Sequence, residues 1–177
     1  IKGVTEIEEE IPSRDHSELM LKYLGAKILV KKTKNSNLIK LNGPCILKCK
    51  KITVPGDFSS AAFLIIATLL TKQSNLTIQS VGLNYFRTGL LDVLSKMNAN
   101  IKISDKGMCN GEALGNIEVY SSNLIATRID KKISARLIDE YPILFGACSF
   151  ASGVSELTGL EELKFKESDR LSAMTEA

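Results

Sequence analysis

Apolar positions along this chain repeat with two periods, and they do so three times in the same order. A run of strand length gives way to a polar loop and then to a helical pattern. Gly3-Val4-Thr5-Glu6-Ile7 leads through Ser13-Arg14-Asp15 to a helix closing on Tyr23-Leu24-Gly25-Ala26. Asn75-Leu76-Thr77-Ile78 leads through Phe86-Arg87-Thr88 to a helix closing on Lys96-Met97-Asn98-Ala99. Gly153-Val154-Ser155-Glu156-Leu157 leads through Lys166 to Arg170 into a helical stretch that reaches the last residue. In the second helix, Leu90, Leu91, Leu94 and Met97 form a one-sided apolar stripe. Strands are expected after the first two helices, at Lys27 to Lys32 and Ile101 to Ser104, and further along at Leu38 to Leu41, Ile46 to Val54 and Asn116 to Tyr120.

Two other helical runs, Ser59 to Leu70 and Ile143 to Phe150, are apolar around their circumference and are expected to be buried on all sides. Each precedes one of the strand–loop–helix segments. The unit is therefore buried helix, strand, amphipathic helix, strand, strand. Asp57 and Asp139, just ahead of the two buried helices, lie about 80 residues apart. Such a repeat predicts an α/β fold in which each unit gives one face to a shared core. Val54-Pro55-Gly56-Asp57 reads either as an ordinary strand-to-helix turn or as a boundary dividing the chain into parts 1–54 and 55–177, with Asp57 or Ser59 capping the helix that follows.

Composition narrows the function. The chain of 177 residues is 44% hydrophobic, enough for a sizeable core. Its 23 basic and 20 acidic residues give a net charge of +3, too balanced for a nucleic-acid binder. Lysine runs at Lys31, Lys32 and Lys34 and at Lys48, Lys50 and Lys51 read as solvated faces, or as an electropositive rim for phosphorylated ligands. None of Cys45, Cys49, Cys109 and Cys148 forms a C-x-x-C pair, and there is one histidine, so no zinc site is expected; sparse cysteines fit a reducing compartment. The apolar run from Ala61 to Leu70 falls short of the roughly 20 residues of a membrane span. Starting at Ile1 and stopping at Ala177 within a helical pattern, the chain is expected to be an internal piece of a longer one.

Two junctions carry candidate chemistry. In Gly159-Leu160-Glu161-Glu162-Leu163-Lys164-Phe165-Lys166-Glu167-Ser168-Asp169-Arg170, charges of both signs crowd the start of a helix, with Ser168 the expected cap. Arg170 in the first turn opposes the helix dipole unless an anion sits there; the alternative is a solvated helix start with local ion pairs. In Ile138-Asp139-Glu140-Tyr141-Pro142, Pro142 suits a first helical turn and Asp139 lies at its mouth. Asp139 reads either as a helix cap or as a carboxylate held to accept a proton or bind a hydroxyl. His16, beside Arg14, reads as a hydrogen-bonded or solvated residue of a helix start, with a proton carrier as the other reading.

The strings Val-Pro-Gly-Asp-x-Ser-Ser-Ala-Ala-Phe (54–63), Arg-Thr-Gly (87–89), Ile-Asp-Glu-Tyr-Pro-Ile-Leu (138–144) and Gly-Leu-Glu-Glu-Leu-Lys-x-Lys-Glu-Ser-Asp-Arg-Leu (159–171), in this order, resemble the enolpyruvylshikimate-phosphate synthase family. Ser13-Arg14-Asp15-His16 is similar to that family's Thr-Arg-Asp-His. The resemblance covers almost the whole chain. It implies a two-lobed enolpyruvyl transferase fold of βαβαββ-type units, here the end of the first lobe (1–54) and part of the second (55–177). It implies transfer of the enolpyruvyl group of phosphoenolpyruvate to the 5-hydroxyl of shikimate 3-phosphate, by addition and elimination, in aromatic amino-acid biosynthesis. No cofactor and no metal are implied; the partners are the two small-molecule substrates, with neither nucleic acid nor membrane, in a cytoplasmic monomer.

The same resemblance assigns roles. Asp139 binds the shikimate hydroxyls and acts as base. Lys166 holds shikimate 3-phosphate and shares in proton transfer, Glu167 is the acid at the methylene carbon, Arg170 pairs with phosphoenolpyruvate, and Arg14 reaches the shikimate phosphate. Tyr85-Phe86 departs from the family's Pro-Thr, and Asn98 from a Gly whose left-handed conformation Asn can adopt. The chain has no Lys-Ser-x-x-x-Arg, Asn-x-Gly, Ser-Ala-Gln or Asp-His-Arg segment, so no turnover is expected from it alone. Two rivals stand beside this reading: the sister transferase that uses UDP-N-acetylglucosamine, and a non-catalytic remnant serving as a binding module.

Overall fold

A computed structural model describes residues 2–33 and 36–176. Ile1 and Ala177, on which the expectation of an internal piece rests, and Lys34 of the first lysine run lie outside them. The chain separates into two compact units, Ile1–Val54 with Met108–Ala113, and Pro55–Gly107 with Leu114–Ala177.

The first unit holds β1 (Gly3–Glu9), α1 (His16–Tyr23), β2 (Ile28–Lys32) and β3 (Asn37–Gly43). Its sheet runs β1-β3-β2, with β3 central and antiparallel to both neighbours. Ala26, Ile28 and Ile39 are buried, with Leu21, Leu41 and Cys45 packed against them. The strand expected over Ile46 to Val54 does not form. That segment satisfies its backbone singly: Lys48 donates its N–H to the Leu24 carbonyl at 2.8 Å, and the Tyr23 hydroxyl donates to Lys51 O at 3.0 Å. Thr53 exchanges bonds with the Asn110 side chain, whose Nδ2 donates to Thr53 O at 2.5 Å. Alternation alone does not distinguish a ladder from such isolated partners.

The second unit repeats the layout at larger scale. After α2 (Phe58–Leu70) come β4 (Asn75–Gly82), α3 (Gly89–Lys96), β5 (Asn100–Cys109) and β6 (Glu112–Tyr120). The sheet order is β4-β6-β5, so the last strand of the repeat is again the central one. Asn110 and Gly111 join β5 to β6 with φ of 52° and 88°, the pair of left-handed residues that a two-residue hairpin turn needs. This tip is the part of the chain after Pro55 that groups with the first unit. Then follow β7 (Arg128–Ile129), a 3₁₀ segment (Lys131–Arg136), α4 (Tyr141–Phe150), β8 (Glu156–Leu157), a second 3₁₀ segment (Glu161–Phe165) and α5 (Arg170–Glu176). β7 and β8 pair in parallel.

The core lies where α2, α3 and α4 meet the inner face of the second sheet. Ile65, Ile66, Leu69, Leu90, Leu94, Ile117, Val119, Tyr141 and Leu144 are buried there. The α3 stripe is Leu90, Val93, Leu94 and Met97, with Leu91 only half-buried. Asn98 takes the left-handed conformation, φ 66°, just past the helix. Gly89 permits a close approach: a Cβ there would lie 2.7 Å from the Arg136 carbonyl oxygen.

The expectation that α2 and α4 are enclosed on all sides is corrected. Phe63 is 57% and Leu64 53% exposed, and with Ser60 and Ala67 they form one open face of α2; Phe150 at the end of α4 is 74% exposed. Apolarity around a helix records what it can bury, but nothing among the described residues of this unit covers that face. Asp57 caps α2, accepting from the Ser60 N–H at 2.7 Å and its hydroxyl at 2.8 Å. No helix among the described residues is long and apolar enough to cross a membrane.

Candidate active site

The two junctions singled out by charge and spacing come together in the second unit. Arg170 begins α5 and aims its guanidinium at both. Its Nη2 donates to Glu167 Oε2 at 2.7 Å, and its Nη1 to Asp139 Oδ1 at 3.4 Å. Arg170 and Asp139 are each about a quarter exposed, whereas Glu167 is mostly in solvent. Lys166 is half-buried and ends the second 3₁₀ segment. Two carboxylates and a guanidinium thus meet, and the Lys166 charge is felt at Glu167.

The local backbone makes this possible. Gly159 turns the chain into the second 3₁₀ segment at φ +77°, a left-handed value, and it presses on the first 3₁₀ segment. A Cβ at Gly159 would run into the Lys131 Cβ and fall 2.7 Å from its Cα. Leu163, fully buried, then anchors the segment in the core. The α5 cap is Asp169 rather than Ser168: its carboxylate accepts from the Ser172 N–H at 3.0 Å and from the Ser172 hydroxyl at 2.9 Å. Asp can accept from both with one carboxylate, which a hydroxyl at 168 cannot match.

At the other junction Asp139 is not the cap. Glu140 occupies the position before α4 without a side-chain cap bond, and Pro142 stands in the first turn. Asp139 instead turns its carboxylate to Arg170.

Electrostatics follow from these contacts. Glu167's carboxyl is held below the usual range by its own backbone N–H, then by the hydrogen bond and charge of Arg170, with Lys166 adding to the effect against slight desolvation. Arg170 is pushed up, first by its bond to Glu167 and also by Asp139, against desolvation. At neutral pH Glu167 is therefore ionised, and an anion that uses Arg170 must share it with Glu167 and Asp139 or take it over.

Arg14 lies in the first unit, exposed, in the stretch ahead of α1. His16, the first residue of α1, places Nδ1 2.7 Å from Glu112 Oε2, a hydrogen-bonded helix-start residue. The four cysteines are free thiols.

A second cluster went unassigned in the sequence. Arg87 Nη2 donates to Ser59 Oγ at 2.8 Å and to Asp57 Oδ1 at 3.2 Å, and Ser59 Oγ donates to Glu140 Oε1 at 2.5 Å. Glu140 is 2% exposed. The signal available was a second carboxylate beside Asp139, placed against an apolar helix where it must be paired to be buried.

Known proteins share this arrangement of elements. The model of the EPSP synthase (3-phosphoshikimate 1-carboxyvinyltransferase) family matches residues 1–177. The chain is 47% identical over 172 residues to the 3-phosphoshikimate 1-carboxyvinyltransferase of Acidiphilium cryptum, covering 97% of this chain and 39% of that protein. It is 44% identical over 173 residues to the 3-phosphoshikimate 1-carboxyvinyltransferase of Thermosynechococcus vestitus, covering 98% of this chain and 39% of that one. A solved EPSP synthase from Acinetobacter baumannii matches with a TM-score of 0.89 at 35% identity, over 99% of this chain and 39% of its own. The chain thus spans about 39% of the length of these relatives. With a family match along its full length, identities above 40% and the same α/β fold, the chain belongs to the EPSP synthase family.

Proposed function

We propose that this chain supplies one wall of the active site of a 3-phosphoshikimate 1-carboxyvinyltransferase, and that it turns over only within a longer chain. The observation that carries this is Arg170 bridging Asp139 and Glu167 beside Lys166, in a member of that family. Both substrates are polyanions, and fixed cations are what hold two such ligands together. Lys166 takes the phosphate of shikimate 3-phosphate as a point charge, and Arg14 is a second cation for that phosphate. Arg170 takes phosphoenolpyruvate by its planar fork. The two compact units are parts of two lobes, in a cytoplasmic monomer that works on small molecules.

The chemistry is an addition followed by an elimination. Asp139, bound to the shikimate hydroxyls, accepts the 5-hydroxyl proton as that oxygen bonds to C2 of phosphoenolpyruvate. Glu167, once it has taken up a proton from solvent, gives it to the methylene carbon, forming the tetrahedral intermediate. The Glu167 carboxylate then takes a proton back from that carbon as the C2–O bond to phosphate breaks, giving the enol ether and inorganic phosphate. Glu167 is ionised while Arg170 holds it. An anion that draws Arg170 away removes the main cation holding the carboxyl's pKa down, so substrate binding itself makes Glu167 a better proton carrier.

The test is kinetic. The coding sequence is extended on both sides to the length of the relatives, and phosphate release is measured with phosphoenolpyruvate and shikimate 3-phosphate together and singly. Release that requires both substrates, and that Asp139→Ala reduces by about 10²-fold or more, is expected. Release unaffected by that change, or none from the extended chain, would overturn the proposal.

A further inference from the structure

Asp139 is one peptide bond from a carboxylate that is almost fully buried. Glu140 is held through both its backbone and its side chain. Its N–H donates to the Leu137 carbonyl at 3.0 Å, its carbonyl accepts from the Leu144 N–H at 2.9 Å, and its side chain accepts from Ser59 Oγ at 2.5 Å. The first two bonds fold the chain into α4. The third ties the mouth of α4 to the first turn of α2, 81 positions earlier in the chain. Ser59 is itself held by Arg87, whose guanidinium also reaches the α2 cap, Asp57. Asp57's carboxyl lies below its ordinary range because the Ser60 bonds and Arg87 outweigh the upward push of desolvation, which keeps it ionised opposite Arg87.

The cluster looks dispensable on energetic grounds. α2 and α4 already pack through Ile65, Leu69, Leu144 and Ala147, and burying a carboxylate is costly unless it is well paired. Apolar packing holds the helices together without directional bonds. A short, directional bond between the two helix starts resists sliding and rotation. The residue that gains is the one next in the chain, Asp139, whose carboxylate must meet both Arg170 and a substrate hydroxyl.

We propose that Glu140, with Ser59 and Arg87, is a positioning group for Asp139, locking the α4 mouth to the start of α2 so that the Asp139 carboxylate is held in register with Arg170. The inference rests on the role proposed for Asp139. Shifts of an ångström at a reacting group cost on the order of a hundredfold, so a loosened Asp139 should be visible in rate.

The experiment uses the extended, full-length chain with Glu140→Ala, Glu140→Gln, Ser59→Ala, the Ser59→Ala/Glu140→Ala pair, and Asp139→Ala. Each is followed by thermal melting and by kcat and KM for both substrates. For Glu140→Ala and Ser59→Ala, kcat should fall by about tenfold or more and KM for shikimate 3-phosphate should rise, with KM for phosphoenolpyruvate little changed. The double variant should be no worse than the more severe single one, because both remove the same tie. Glu140→Gln keeps an oxygen that can accept from Ser59 and should restore most of the rate. A merely structural role would lower the melting temperature and the folded fraction but leave both KM values in place, and that result overturns the proposal. Glu140→Gln as poor as Glu140→Ala, or additive effects in the double variant, also overturns it. If Asp139→Ala itself leaves the rate intact, the underlying reading of the site has failed; if Asp139→Ala abolishes the rate while the Glu140 and Ser59 variants behave as wild type, only the positioning role has.

Discussion

The residues that meet on Arg170 show what single positions reveal. Asp139 and Glu167 stand 28 positions apart, yet Arg170 touches both. Their chemical type and place at helix starts were legible, because an arginine in a first turn is unfavourable without an anion to face. Which carboxylate capped which helix was not. Asp139 and Ser168 both have the right side chains, but Arg170 claims the first and Asp169 displaces the second. Two predictions follow at this scale. In the full-length chain, Glu167→Gln should lower kcat by about 10²–10⁴-fold with little change in shikimate 3-phosphate binding, whereas Lys166→Met should weaken that binding as well as the rate; steady-state kinetics with a binding titration separate them, and a near-normal kcat for the Gln variant would remove Glu167 from proton transfer. The other concerns titration. Glu167's folded pKa is depressed, so its pairing contributes to stability above the ordinary glutamate range and is lost as pH falls through the folded value. A carboxyl-carbon NMR titration should place Glu167 below the ordinary glutamate range, and Arg170→Ala should move it up; an unshifted midpoint in the parent would show that the pair does not persist in solution.

Elements were read more securely than their surroundings. The three helices over 58–70, 89–96 and 141–150 lie where periodicity put them, because apolar spacing and N-terminal residues are local signals. The missing strand at 46–54 and the two 3₁₀ segments depend on partners distant in sequence, which no local pattern records. Gly159 is the instructive case. It reads as one more loop glycine, yet its left-handed backbone and its contact with Lys131 set the path of the whole 161–170 segment. Gly159→Ala would drive a methyl into the Lys131 backbone at a φ that alanine adopts only with strain. A loss of about 1–3 kcal/mol is expected in denaturant unfolding. Because the displaced segment carries Lys166, Glu167 and Arg170, the rate of the full-length enzyme should fall too. Wild-type stability and rate would mean the segment adjusts without consequence for the site.

At the scale of the molecule, the repeat is the informative feature. Both units use strand, helix, strand, strand, with the last strand in the middle of its sheet, but they bury unequal amounts. Among the described residues the first unit encloses Ala26, Ile28 and Ile39, while the core of the second encloses twenty-one apolar residues. Full burial of an aliphatic side chain is worth roughly 1.5–3 kcal/mol, so three such residues, one of them alanine, offset little of the conformational entropy of ordering more than fifty. Topology is the same and strand position is the same, so comparing the central strands β3 and β6 isolates the size of the core. Native-state hydrogen exchange on the 177-residue chain should show β3 amides opening at a free energy well below that of β6 amides, whose protection should approach that of global unfolding. Denaturant should narrow the gap by lowering the β6 value while β3, already opening locally, changes less. Equal protection in the two strands, with equal denaturant dependence, would mean that the size of the core does not set the opening free energy of its central strand.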